Sequence, residues 1–167
     1  GEELFGRVMN VVGEPIDGGA PFSERTTPLH LNADAPTMSA RAPMNAQLVS
    51  GMPAVDILIP IAKGQRQLVV GPISSGKNLF LETLFANQIE TGTICIYVFI
   101  GRPADYIEDS ITRIYGEKGN KNTIVIASFS DEPAPIIFLA PAVALELAEH
   151  FSFEGKDVVV VLDDLGT

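Results

Sequence analysis

The chain has 167 residues, with 11 Lys and Arg against 21 Asp and Glu and a net charge of −10. That length suits one domain, and a chain of this size buries about 70% of its unfolded surface, enough to hold a core without disulfides or metals. The apolar fraction of 46% argues against disorder, and the acidic balance argues against nucleic acid as a partner, since a phosphate backbone is met by Lys and Arg, although a local anion site can sit in an acidic protein.

In chain order, Phe5 to Val12 reads as a strand, and Gly13 to Gly19 as turns. From Ala20 to Met52 the pattern is irregular, with Pro21, Pro28, Pro36 and Pro43. So long an irregular stretch is uncommon in a compact domain, so it either packs on the second half or belongs to an interface. Residues 1–52 therefore read as a loop-rich leading segment, and 53–167 as the core.

The second half alternates. Gln67 to Val70 reads as a short strand. Asn78 to Ile89 has apolar residues at 79, 80, 81, 84 and 85, a helical spacing. Ile94 to Ile100 is an apolar strand, and Ala104 to Tyr115 a helix with Ile107, Ile111 and Ile114 on one face. Thr123 to Phe129 is a strand. Pro135 to His150 is a helix with Leu139, Val143, Leu147 and Phe151 along a stripe, and Pro141 should kink it. Val158 to Leu162 is the last strand, closed by Asp163 and Asp164. Strands without polar alternation, each followed by a helix, make an α/β fold with a mainly parallel sheet covered on both faces.

Single residues complete the pass. Cys95, the one cysteine, reads as a buried structural thiol. His150 suits the negative end of its helix, and His30 reads as a surface or interface residue. No run reaches the roughly 18 consecutive apolar residues of a membrane span, and no signal peptide pattern is visible. These point to a soluble protein of a reducing compartment.

The chemistry concentrates after the Gln67–Val70 strand. Gly71-Pro72-Ile73-Ser74-Ser75-Gly76-Lys77-Asn78 is a Gly-x-x-x-x-Gly-Lys phosphate-binding loop opening a helix. The two glycines let the backbone curl so that successive N–H groups face phosphate oxygens, and the helix directs its positive end at the same place. Lys77 should reach the β- and γ-phosphates. The eighth position ordinarily carries Ser or Thr, whose hydroxyl ligates Mg²⁺; Asn78 there predicts weakened metal binding. Asp163, at the end of an apolar strand, is the residue to hold Mg²⁺ through water, while Asp164 reads equally well as a turn or cap residue.

These motifs resemble the nucleotide-binding domain of the α/β subunit family of rotary ATP synthases and ATPases. Gly6-Arg7-Val8 through Pro15-Ile16-Asp17-Gly18, Leu48 through Ile61, Gly64-Gln65-Arg66-Gln67, Ser130-Asp131-Glu132-Pro133-Ala134-Pro135, Leu139-Ala140-Pro141 and Val161-Leu162-Asp163-Asp164-Leu165 carry the resemblance, with Glu132 as an insertion. The resemblance implies a RecA-like P-loop domain that follows a β-barrel and stops after the acidic strand, hence a fragment with a defect in its sheet. It leans to the non-catalytic alpha-type subunit: where the catalytic beta type has a water-orienting glutamate, this chain has Gly101-Arg102-Pro103, so no catalytic residue is assigned. Arg102 itself reads as a solvated residue at a helix start.

By resemblance the cofactors are ATP or ADP with Mg²⁺, the partners are beta-type catalytic subunits in a hexameric head and the central stalk, and the place is cytoplasmic and peripheral to a membrane. Two other readings stay open. One is a flagellar or type III export-type hexameric ATPase, opposed by Asn78 and Arg102. The other is a degenerate scaffold that binds no nucleotide, opposed by Lys77 and Asp163.

Overall fold

The computed structural model describes residues 2–23, 31, 37–41, 43–72, 74–115 and 122–165. After a 3-10 turn at Glu2–Leu4 comes β1 (Arg7–Asn10). Met38–Ala40 is a second 3-10 turn, and β2 (Gln47–Leu48) leads to α1 (Pro53–Leu58) and β3 (Ile61–Ala62). Then α2 (Lys77–Glu90), β4 (Ile94–Arg102), α3 (Ala104–Tyr115), β5 (Thr123–Phe129), α4 (Ala134–Phe153) and β6 (Val158–Asp163) follow in turn. The main sheet has four parallel strands in the order β1-β5-β4-β6. The pair β2 and β3 forms a separate two-stranded antiparallel sheet.

Strand periodicity sorts the apolar runs between two helical layers. On β4, Ile94, Ile96, Val98 and Ile100 join Ile124 and Ile126 of β5 beneath Ala140, Val143, Ala144, Leu147 and Phe151 of α4. The alternate residues Cys95, Tyr97 and Phe99 join Val125 and Ala127 beneath Phe85 of α2 and Ile107 and Ile114 of α3. Both faces are therefore covered, as the runs without polar alternation require. Cys95 is fully buried, and burial pushes its thiol up to about 12, which keeps it an inert, protonated packing group.

The α4 stripe is the predicted one, except that Leu139 lies at the margin of the core while Ala140 and Ala144 sit inside it. Pro141 lies within the helix. By length and composition α4, with a mean hydropathy of 1.5, is apolar enough to cross a membrane; here it packs along β4, β5 and β6. Glu132 closes the turn after β5, where its Oε2 accepts the Phe129 N–H at 3.0 Å. His150, in the last turn of α4, lies 3.6 Å from Glu154.

On α2 the buried residues are Leu84, Phe85 and Gln88, while Leu79 is 68% exposed. Residues 81, 84, 85 and 88 form the i, i+3, i+4, i+7 stripe, and position 79 falls outside it.

The Gln67–Val70 strand does not form. These residues pair with nothing in either sheet, and Leu68 and Val70 are 70% and 81% exposed. A strand is held by its ladder to a neighbour. The outer edge of β6 and the Gln67–Val70 segment have no described strand between them to supply one, so an apolar pattern alone leaves the segment irregular.

The leading segment packs on the core through β1. Arg7 donates to both oxygens of Asp17, at 2.6 and 2.9 Å, and to the Ala20 carbonyl at 3.0 Å. Asp17 also accepts the N–H groups of Val8 and Gly19. The Arg7 hydrogen bonds, with those N–H groups behind them, hold the Asp17 carboxyl far below its ordinary range. A depressed carboxyl adds stability that is present above the unfolded value and is lost as pH falls through the folded one. Asp17→Asn should therefore lower the urea midpoint at about pH 6, and the gap to wild type should narrow by about pH 3. A gap that stays constant across that range would remove the ion pair from the account. The segment before α1 is tied down in turn by Asp56, which accepts from the N–H groups of Ser50 and Gly51, and by Asn87 and Gln88 of α2, which both donate to the Val49 carbonyl.

Candidate functional site

The carboxyl ends of β4 and β6 and the start of α2 bring the sequence motifs together. Open α/β sheets bind ligands at that edge. A cleft of about 490 Å³ around Thr93, Asn122, Lys156 and Asp157 lies at the opposite, amino ends of the strands and holds none of the motif residues.

The loop before α2 is curled as its glycines require. Gly76 is the N-cap of α2 with φ +87, in the left-handed region that favours glycine. At Gly71 a Cβ would sit 2.7 Å from the Ser75 hydroxyl oxygen, so a side chain there would have to turn the Ser75 hydroxyl aside. Ser74 also has positive φ, at 62. Lys77 folds back over the loop, its Nζ donating to the carbonyls of Gly71 at 2.5 Å and Pro72 at 2.8 Å. Among the described residues no side chain caps the start of α2, so its first-turn N–H groups are left for an anion. Pro72, Ser74, Ser75 and Gly76 are exposed along the loop; Ile73 lies outside the described residues, as does His30.

Beyond Lys77 the contacts run without a break to the acidic strand. Asn78 donates through Nδ2 to the Tyr106 hydroxyl at 2.5 Å. The Arg102 guanidinium lies over the Tyr106 ring at 5.0 Å. Arg102 then donates to both oxygens of Asp163, from Nε at 2.9 Å and Nη2 at 3.0 Å, and reaches Asp164 at 3.5 Å. Asp163 is 1% exposed, so its charge needs a partner inside the protein. The Asp163 hydrogen bond raises Arg102 above its ordinary value, and burial, with the Asp163 charge behind it, raises Tyr106. Arg102 is thus no solvated helix-start residue: it is the bound counterion of the buried acid.

A β-bulge aims it there. Phe99 pairs with Ala127 and Arg102 with Phe129, three steps on β4 against two on β5. The extra residue turns Arg102 to the face shared by Phe99 and, on β6, Asp163; without it Arg102 would point to the α4 side. Gly101 takes the bulge with φ +60. Ser128, fully buried, satisfies the bulge by accepting the Gly101 N–H at 3.0 Å and donating to the Phe99 carbonyl at 3.2 Å.

The family comparison settles what fold carries this site. A family model described as "ATP synthase alpha/beta family, nucleotide-binding domain" matches residues 51–167. The chain belongs to this family. It is similar to proteins named ATP synthase subunit alpha from Staphylococcus aureus strains JH9, Newman and Mu3 / ATCC 700698, each 37% identical over 166 residues. The match covers 99% of this chain and 33% of each relative, so the chain spans about a third of their length. This ATP synthase family domain has a curled loop with Gly76 in the left-handed region, a lysine over it and an uncapped helix start. Both Asp163 oxygens are taken by Arg102, and position 78 offers an amide bound to Tyr106 in place of a hydroxyl.

Proposed function

We propose that Gly71, Pro72, Ile73, Ser74, Ser75, Gly76, Lys77 and Asn78 bind the phosphates of ATP or ADP, and that the chain serves as a non-catalytic, alpha-type nucleotide domain of an ion-translocating rotary ATP synthase or ATPase. The Lys77 contacts and the uncapped α2 start support the binding part. The observation that carries the non-catalytic part is the Arg102 fork at the end of β4. Hydrolysis needs a group that orients the attacking water, and the position that could place a carboxylate there holds a guanidinium already bound to Asp163. The carboxylates that follow on α3, Asp105 and Glu108, are exposed. In this reading the partners are beta-type catalytic subunits in a hexameric head with a central stalk, at the cytoplasmic side of a membrane the chain does not enter.

Calorimetric titration with ATP and ADP tests the reading. Lys77→Ala should weaken binding by about tenfold or more, the worth of a hydrogen bond to a charged group. Hydrolysis should stay far below the roughly 1–10³ s⁻¹ of working enzymes. Turnover in that range would end the non-catalytic assignment, and undiminished binding by Lys77→Ala would end the loop assignment.

A further inference from the structure

We infer that Arg102 is a resident cation standing where a nucleotide site of this kind ordinarily holds its metal, so that the Gly71–Asn78 loop takes ATP or ADP free of magnesium. The inference rests on the nucleotide reading above and adds to it the ionic form of the ligand.

A strand-end carboxylate beside a phosphate loop poses an electrostatic problem: it repels the polyphosphate unless a cation lies between them. A divalent ion is the usual remedy. Here the cation is covalent. Asp163 is 1% exposed and faces a planar fork that takes both of its oxygens, the bidentate match that guanidinium makes and an ammonium does not. A metal ion bound directly to Asp163 would have to displace the fork, and one held through water would lie beside the Arg102 guanidinium, where two cations share one buried carboxylate and repel each other.

The surroundings are built for this arrangement. The bulge at Gly101 turns Arg102 toward Asp163, and Ser128 spends its hydroxyl on the bulge. Tyr106 lies under the guanidinium and accepts from Asn78, so the residue in the hydroxyl ligand's place is part of the same support. A solvated arginine would need none of these. The charge balance differs from that of a metal site. Arg102, Asp163 and the nearby Asp164 sum to −1, whereas a divalent ion in place of the guanidinium would bring the same two carboxylates to zero. Among the described residues the phosphates therefore rest on Lys77 and the start of α2, and magnesium, by masking the charge of free nucleotide in solution, brings no gain. Arg102 acts as a positioning residue here: it neutralises and orients Asp163 without touching the ligand.

The test is ATP titration of the 167-residue chain by calorimetry, once in EDTA and once in excess magnesium, with Lys77→Ala alongside. The expected result is an affinity in EDTA equal to that in magnesium within about threefold, lost in Lys77→Ala. Arg102→Gln frees the Asp163 carboxylate, so its binding in EDTA should fall about tenfold or more below its binding in magnesium. Should that variant not fold, Arg102→Gln with Asp163→Asn removes both charges and should again bind alike in the two conditions. Wild-type binding at least about tenfold tighter in magnesium, still lost in Lys77→Ala, overturns the inference and leaves the nucleotide reading standing. A double variant that needs magnesium overturns it as well. No wild-type binding in either condition overturns both.

Discussion

Replacing Arg102 by Ala should lower the unfolding free energy by roughly 3–5 kcal/mol, the cost of leaving a buried charge without its partner. The size follows from burial: Asp163 is 1% exposed, while the Arg102 side chain is 23% exposed. The aspartate therefore bears the loss, unable to reach water without opening the end of β6. Adding Asp163→Asn to the Arg102→Ala chain should restore most of the stability, because no charge then remains to be compensated. Urea unfolding followed by circular dichroism measures all three chains. A loss under about 1 kcal/mol for Arg102→Ala is the behaviour of an exposed pair, and would mean that the fork is open in solution. The comparison also separates two meanings of the pair. A buried ion pair is weak evidence of net stabilisation, since apolar residues can often replace it without loss; what the pair contributes is a partner for the buried Asp163 charge at the end of the sheet.

Phe85→Ala should cost a similar amount, about 3–5 kcal/mol, for a different reason. Phe85 is fully buried and meets Tyr97 edge-on with ring centroids 5.2 Å apart. With Leu84 and Gln88 it makes up the buried face of α2, the helix whose first turn carries Lys77 and Asn78. Truncation leaves a cavity between α2 and β4, so the loop loses its mooring together with the core. Against a total stability of about 5–15 kcal/mol such a loss is large. Leu79→Ala on the same helix is the control: at 68% exposure it should change stability by no more than about 0.5 kcal/mol. Equal losses at the two positions would show that α2 does not dock as described.

The site was only partly legible from sequence. The proposed phosphate loop is local: two glycines, a lysine and the helix that follows are contiguous, and their geometry is set by backbone freedom and helix polarity within eight residues. The Arg102–Asp163 pair links residues 61 positions apart. In the sequence it was visible only as an arginine in a Gly-Arg-Pro step and an acid at a strand end. The signal that could have joined them is an unpaired charge at the ends of two strands that turn out to be adjacent. That signal needs the strand order, β4 beside β6, and the bulge that reverses the side to which Arg102 points. Neither is written in a hydrophobic pattern. The Gln67–Val70 segment errs in the other direction. Its residues have the composition of a strand, but a strand exists only with a partner for its ladder, and composition carries no information about the partner.

By itself, then, the sequence determined the features that depend on periodicity and near neighbours: the extents of α3 and β5, the stripe of α4, the two-sided burial of the sheet, the curled Gly71–Gly76 turn into α2 and the family. Hydrophobic spacing and backbone freedom act over one or two turns, and the chain states them directly. The tertiary structure alone decided that β1 joins the main sheet beside β5, that Gln67–Val70 goes unpaired, and that Arg102 rather than solvent meets Asp163. Each of those outcomes is a contact between residues far apart in the chain. Its energy depends on which strands become neighbours and on the register between them, and a shift of one residue is enough to reverse it.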